Sequence, residues 1–112
     1  MEHLHYRFTG GRPVSRGRAR LVGVVGSGNL EVLIEPSPLE GACIVDVDTA
    51  AKGFGAIWQA VISDFFARHP LADVRISIHD NGATPAIVVL RLDQAVAEFS
   101  APVMHLPAGD EA

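Results

Sequence analysis

Cysteine is nearly absent. Cys43 stands alone in 112 residues, so no disulfide can close within the chain. That usage fits a reducing cytoplasm. The first residues, Met-Glu-His-Leu-His-Tyr-Arg, lack the apolar run of a signal peptide. No apolar run approaches the roughly 20 residues needed to cross a bilayer. A soluble, cytoplasmic protein is expected, with no membrane partner. Internal repeats and low-complexity stretches are also absent, which removes repeat arrays and disordered tracts from consideration. The body of the chain is short of positive charge. Residues 21–112 carry four basic and twelve acidic side chains, a net of −8, within a whole-chain charge of −4. An acidic body does not favour nucleic acid. The five arginines Arg7, Arg12, Arg16, Arg18 and Arg20 stand against Glu2 alone in residues 1–20. They lack the interleaved aromatics and helical period of a nucleic-acid or membrane surface. They read as a solvated arm or as a dock for an acidic protein.

What is present is enough for one core. The chain is 48% hydrophobic, and its length suits a single domain over 1–112. Residues 1–18 form the basic arm of that domain, and 101–112 a frayed tail. His3 to Phe8 alternates loosely, as an edge strand does. Residues 19–25 and 29–35 read as hairpin partners, and Ala42–Asp48 as a third strand. Asp48 or Thr49 is placed to cap a helix from about Ala50 to Arg68. Phe54, Ile57, Trp58, Val61, Ile62, Phe65 and Phe66 recur on one face of it, the clearest period in the chain. Val74–His79 is a further strand. Ala86–Leu92, apolar on both faces, reads as an inner fifth strand. A second helix begins at Leu92, with Ala95, Val96 and Phe99 on its face. The expected order is β-β-β-α-β-β-α. The expected fold is an α+β two-layer sandwich, a mostly antiparallel sheet of about five strands with two helices.

Gly26-Ser27-Gly28-Asn29 lies between two β-branched runs and reads as a tight turn, since Gly and Asn tolerate positive φ. It is not a dinucleotide fingerprint. Position 31 is glutamate where a third glycine is needed, and a strand follows where a helix is needed. A nucleophile elbow fails on spacing and context. Two readings stand: a plain hairpin turn, or a point of attachment. Ser27 offers a hydroxyl between two residues without side chains, Gly26 and Gly28, open to a bulky group from most directions. Cys43 falls on the apolar face of its strand, as a core thiol does. His3 and His5 lack the further ligands a metal site needs, so no metal is expected. His79-Asp80 is placed to orient a ligand or to start a turn. Asp46 and Asp48 share a strand face, as an acid pair or as solvated residues with one helix cap. No complete set of nucleophile, base and orienting group appears, so the chain does not read as an enzyme on its own.

Three segments carry a resemblance: Val25-Gly26-Ser27-Gly28-Asn29-Leu30-Glu31-Val32-Leu33-Ile34-Glu35, the helix around Trp58, and Ile78-His79-Asp80-Asn81-Gly82-Ala83-Thr84-Pro85 running into Val88-Val89-Leu90-Arg91-Leu92. In that order they resemble the acyl carrier (delta) subunit of malonate decarboxylase. The carrier subunit of citrate lyase is a more distant likeness through the Ser-Gly turn. The resemblance implies a non-catalytic carrier subunit whose serine bears 2'-(5''-phosphoribosyl)-3'-dephospho-coenzyme A, a phosphopantetheine-type group, through a phosphodiester. Ser27 is the matching position. Asn29 departs from the family pattern, where Asp follows the Ser-Gly pair; this bears on the efficiency of the modifying transferase and not on attachment. The implied partners are the decarboxylase and transferase subunits of the complex, a malonyl transferase, and the prosthetic-group transferase. Acetyl and malonyl thioesters are the implied cargo, with the arginine arm and acidic body as surfaces for those partners. A citrate-lyase-type carrier and a scaffold or binding module are the alternatives.

Overall fold

A computed structural model describes residues 1–14, 20–22 and 30–100. Five strands form the main sheet: β1 (Glu2–Phe8), β3 (Arg20–Val22), β4 (Leu30–Pro36), β5 (Cys43–Thr49) and β7 (Val74–Asp80), in the order β1-β5-β7-β4-β3. β2 (Arg12–Pro13) and β6 (Leu71–Ala72) make a short parallel bridge at one side. Its tightness needs a glycine. A Cβ on Gly11 would lie 2.3 Å from the Leu71 carbonyl oxygen. Three of the four pairings in the main sheet are antiparallel. The central pair, β5 with β7, is parallel. A hairpin cannot join parallel neighbours, and the helix α1 (Gly55–Arg68) makes the crossover. The second helix, α2 (Pro85–Ser100), follows β7.

Alternation along the strands separates two faces. Val32 and Ile34, Val45 and Val47, and Val74, Ile76 and Ile78 are buried on one face. Both helices cover it, α1 over the β1 side and α2 over β3 and β4. Ile62 and Phe65 of α1 and Leu92 and Phe99 of α2 fill the layer between. Phe8 stacks on Phe66 with ring centroids 4.6 Å apart, fastening the edge strand to α1. Arg68 bridges Asp64, one turn back, to Asp93 on α2, and His69 also reaches Asp93. These hydrogen bonds raise the Arg68 guanidinium above its ordinary range. Burial pushes the Asp93 carboxyl up, but the bonds from Arg68 and His69 prevail and hold it below the usual value.

The α+β sandwich of five strands and two helices is as expected, with three local corrections. The fifth strand is Glu2–Phe8, and Ala86–Leu92 belongs to α2. The order of the main elements is therefore β-β-β-β-α-β-α. Val88 continues the helical face of Leu92, Ala95, Val96 and Phe99 one turn upstream. Thr84-Pro85 is the start signal, with proline at the first helical position, where no N–H is missed. Glu2–Phe8 is the edge strand that its alternation pointed to, paired with β5. Finally, α1 begins at Gly55 and not near Ala50, capped by Phe54 without a side-chain bond. Gly53 holds φ +87, a left-handed conformation that breaks a helix there. Residues 15–19 and the tail 101–112 lie outside the described residues.

Candidate functional site

Gly26, Ser27 and Gly28 lie in the connection 23–29, outside the described residues. Its two flanks are described. β3 and β4 are antiparallel neighbours, as expected of hairpin partners. The pairs Arg20↔Ile34, Leu21↔Leu33 and Val22↔Val32 all have position 27 as their midpoint in sequence. β4 starts at Leu30, which pairs with Asp80, the last residue of β7. Asp80 pairs in turn with Thr49, the last of β5, and Thr49 with Glu2. The connection bearing Ser27 is therefore anchored at the end of the sheet where β5 and β7 stop.

Asp80 organises that end. It is 4% exposed, and Thr49 beside it is fully buried. The Thr49 hydroxyl donates to Asp80 Oδ2 at 2.8 Å. Asp80 Oδ1 accepts from the N–H of Ala83 at 2.8 Å and of Gly82 at 3.3 Å. Its carbonyl accepts from Ala50 N–H at 3.0 Å. One carboxylate thus ties the segment after β5 to the turn before α2. Thr49 accepts from Ala51 N–H at 3.1 Å and so shapes a turn, where a helix cap was expected. Asp48 is no cap either. It faces His3 and His79 on the uncovered side of the sheet. There Asp46 likewise binds His5 and, at 2.8 Å, Arg75. The two aspartates are thus cross-strand partners of histidine and arginine side chains. His79 and Asp80 point to opposite faces and do not act as a unit. Among the described residues no group of three or more His, Cys, Asp or Glu is placed to hold a metal. None of the described helices is long and apolar enough to cross a membrane.

Beside Asp80 an apolar cleft of about 240 Å³ opens between the start of α1 and the turn leading to α2. Phe54, Ile57, Trp58, Val61, Ala83 and Val88 line it. Phe54 and Ile57 were expected in the core with the rest of their helical face. They remain 48% and 47% exposed, at its rim. Periodicity shows that these residues share a face; it does not show that the covering layer ends one turn short of them.

Cys43 is fully buried on the inner face of β5. Burial pushes its thiol up to about 11. A thiol so placed neither ionises near neutrality nor meets a substrate.

Comparison with known proteins gives a consistent picture. The family model described as malonate decarboxylase delta subunit (MdcD) matches residues 18–99. The malonate decarboxylase acyl carrier protein of Xanthomonas axonopodis pv. citri is 67% identical over 97 residues, 86% of this chain and 92% of that protein. Its counterpart in Stenotrophomonas maltophilia (strain K279a) shows the same identity and coverage. That of Burkholderia cepacia is 57% identical over 100 residues, 89% of this chain and 92% of that protein. Among solved structures, a chain of a Pseudomonas malonate decarboxylase hetero-tetramer in complex with malonate superposes with a TM-score of 0.76 at 44% identity. The match covers 88% of this chain and 99% of that one.

Proposed function

The chain belongs to the malonate decarboxylase acyl carrier (delta) family, and from that premise we propose that Ser27 is the residue through which it carries acyl groups. It is a carrier subunit and not the catalyst of the complex. The group proposed on Ser27 is 2'-(5''-phosphoribosyl)-3'-dephospho-coenzyme A, joined by a phosphodiester. The observation that carries this reading is the family match across residues 18–99, which spans the Gly26-Ser27-Gly28 segment. The chemistry of the chain supports it. A carrier needs an accessible thiol, and the one cysteine of the chain is enclosed in the core. The thiol must come from an attached group, for which a hydroxyl between two glycines leaves room.

The residues then divide the work. Ser27 supplies the ester oxygen, and Gly26 and Gly28 supply access. β3 and β4 hold both ends of the connection, and Asp80 with Thr49 stiffens the sheet end from which it departs. When bound, the group supplies the thioester, whose carbonyl spreads the negative charge left as carbon dioxide departs from malonate. A carrier of this kind raises the local concentration of substrate at each partner site in turn. The partners are the transferase and decarboxylase subunits, in keeping with the hetero-tetramer of the Pseudomonas relative. The prosthetic-group transferase and a malonyl transferase act on it, and the cytoplasm is the proposed compartment. The deciding experiment is intact mass of the protein from its native cell, with peptide mapping of residues 20–35. An adduct of the stated group on Ser27 is expected. Unmodified Ser27 in cells growing on malonate overturns the assignment.

A further inference from the structure

The cleft beside Asp80 lies over the core residues Trp58 and Val88. It sits where two exposed apolar side chains, Phe54 and Ile57, meet the turn that leads into α2. It also opens at the end of the sheet to which the connection 23–29 is anchored. Leu30 pairs with Asp80, and Asp80, Gly82, Ala83 and Pro85 all belong to the cleft wall. Covalent geometry keeps the Cα of Ser27, three residues before Leu30, within roughly 11 Å of the Leu30 Cα. The chain therefore holds the proposed point of attachment within reach of this end of the sheet.

We infer that the cleft receives the acyl end of the chain's own carried thioester, and that it takes the neutral acetyl form and refuses the malonyl form. The inference rests on the reading of Ser27 given above. Size sets the first limit. A cavity of about 240 Å³ is too small for a nucleotide-bearing arm, and suits a short acyl thioester with the few atoms before it. Charge sets the second. Asp80 is the one ionisable residue among the described residues of the wall, and its oxygens are already taken by Thr49 and the N–H groups of Gly82 and Ala83. The neighbouring Lys52 is exposed and does not line the cleft. A second carboxylate entering here would lose its hydration, meet no cation of the described wall, and face Asp80. An acetyl group loses nothing of the kind. The acetyl thioester would thus be shielded on its carrier, while the malonyl thioester stays outside, available for decarboxylation.

Trp58, the single tryptophan of the chain, lines the cleft and reports on it. The experiment uses the full-length protein bearing its prosthetic group, as free thiol, acetyl and malonyl forms, with the Ser27→Ala protein as the armless reference. Mass spectrometry first verifies the load on Ser27. Trp58 emission and the amide resonances of residues 51–58 and 82–88 are then compared. The acetyl form is expected to shift them relative to Ser27→Ala, and the malonyl form to leave them near the reference. Thioester cleavage by hydroxylamine is expected to be about fourfold slower for acetyl-loaded wild type than for acetyl-loaded Ile57→Glu, the factor that one methylene-sized group withdrawn from water gives. Ile57 is half exposed, so that substitution spares the fold; Ala83→Leu, which fills the cleft, is the second variant and should also abolish the signal. Equal spectra for the acetyl and malonyl forms, or an acetyl form identical to Ser27→Ala, overturn the inference while a verified adduct leaves the carrier reading intact. Absence of any adduct overturns the carrier reading itself.

Discussion

At Asp80 a single carboxylate does the work of several contacts. It receives the Thr49 hydroxyl and two backbone N–H groups in a nearly dry setting. Removing it leaves those donors without a partner. Asp80→Ala is expected to lower unfolding free energy by about 2–3 kcal/mol in urea titration, with Asp80→Asn recovering part of the loss. Cys43 offers a second test. Its raised thiol value means that the folded chain holds a proton which the unfolded chain gives up above its ordinary value of 9.0. The contribution of Cys43 to stability, constant below pH 9, should therefore fall as pH rises from there toward 11, and Cys43→Ala should flatten that fall. A thiol reagent such as DTNB should label the native protein only at the rate of unfolding. The place of Cys43 was legible in sequence, because alternation put it on the apolar face. The role of Asp80 was not. Next to His79 it read as half of a pair, and only the strand pairing shows that its partner is Thr49, thirty-one positions away.

The elements differ in how openly they declared themselves. α1 was visible from its repeating apolar face, and Phe65 in its last turn is fully buried. Phe65→Ala is expected to cost about 3–5 kcal/mol through lost burial and the cavity left behind. α2 was hidden in its first half. Ile87-Val88-Val89-Leu90 is rich in β-branched residues and apolar in every direction, which suits an inner strand as well as a buried helix. Helix wins because the run continues in phase with Leu92, Ala95, Val96 and Phe99 over sixteen residues, longer than these strands. The helices are also joined by charge. Asp93 has its carboxyl value lowered by Arg68 and His69. A lowered value stabilises the fold above the ordinary value of 3.8 and is lost as pH falls below it. Asp93→Asn should reduce stability at neutral pH, with the difference from wild type shrinking as pH drops below 3.8. The pair is partly exposed, so the effect is small.

Seen whole, the molecule has a covered face and an open one. The open side of the sheet carries His3, His5, Asp46, Asp48, Arg75 and His79 in opposed pairs. The basic residues of the first twenty positions are set against an acidic remainder. Charges distributed in this way act mainly on association rate. Replacing Arg7, Arg12, Arg16, Arg18 and Arg20 by glutamine is expected to slow association with the partner subunits and to flatten its salt dependence. Unchanged association kinetics would remove the arginines from partner recognition.

By itself the sequence determined the class of fold, the buried thiol, and the three segments that mark the carrier family. These depend on local period, composition and order along the chain. Tertiary structure decided the rest. It supplied β5 as the partner of the edge strand Glu2–Phe8, and it set β5 beside β7 in parallel through α1. It brought Thr49, Asp80 and the turn at Gly82 and Ala83 together at the end of the sheet from which the Ser27 connection departs. It left Phe54 and Ile57 uncovered there, although their helical period matches that of the core. The reason is physical. Periodicity along one element fixes which side chains share a face, but what that face meets is set by strand register and by where the opposite layer ends.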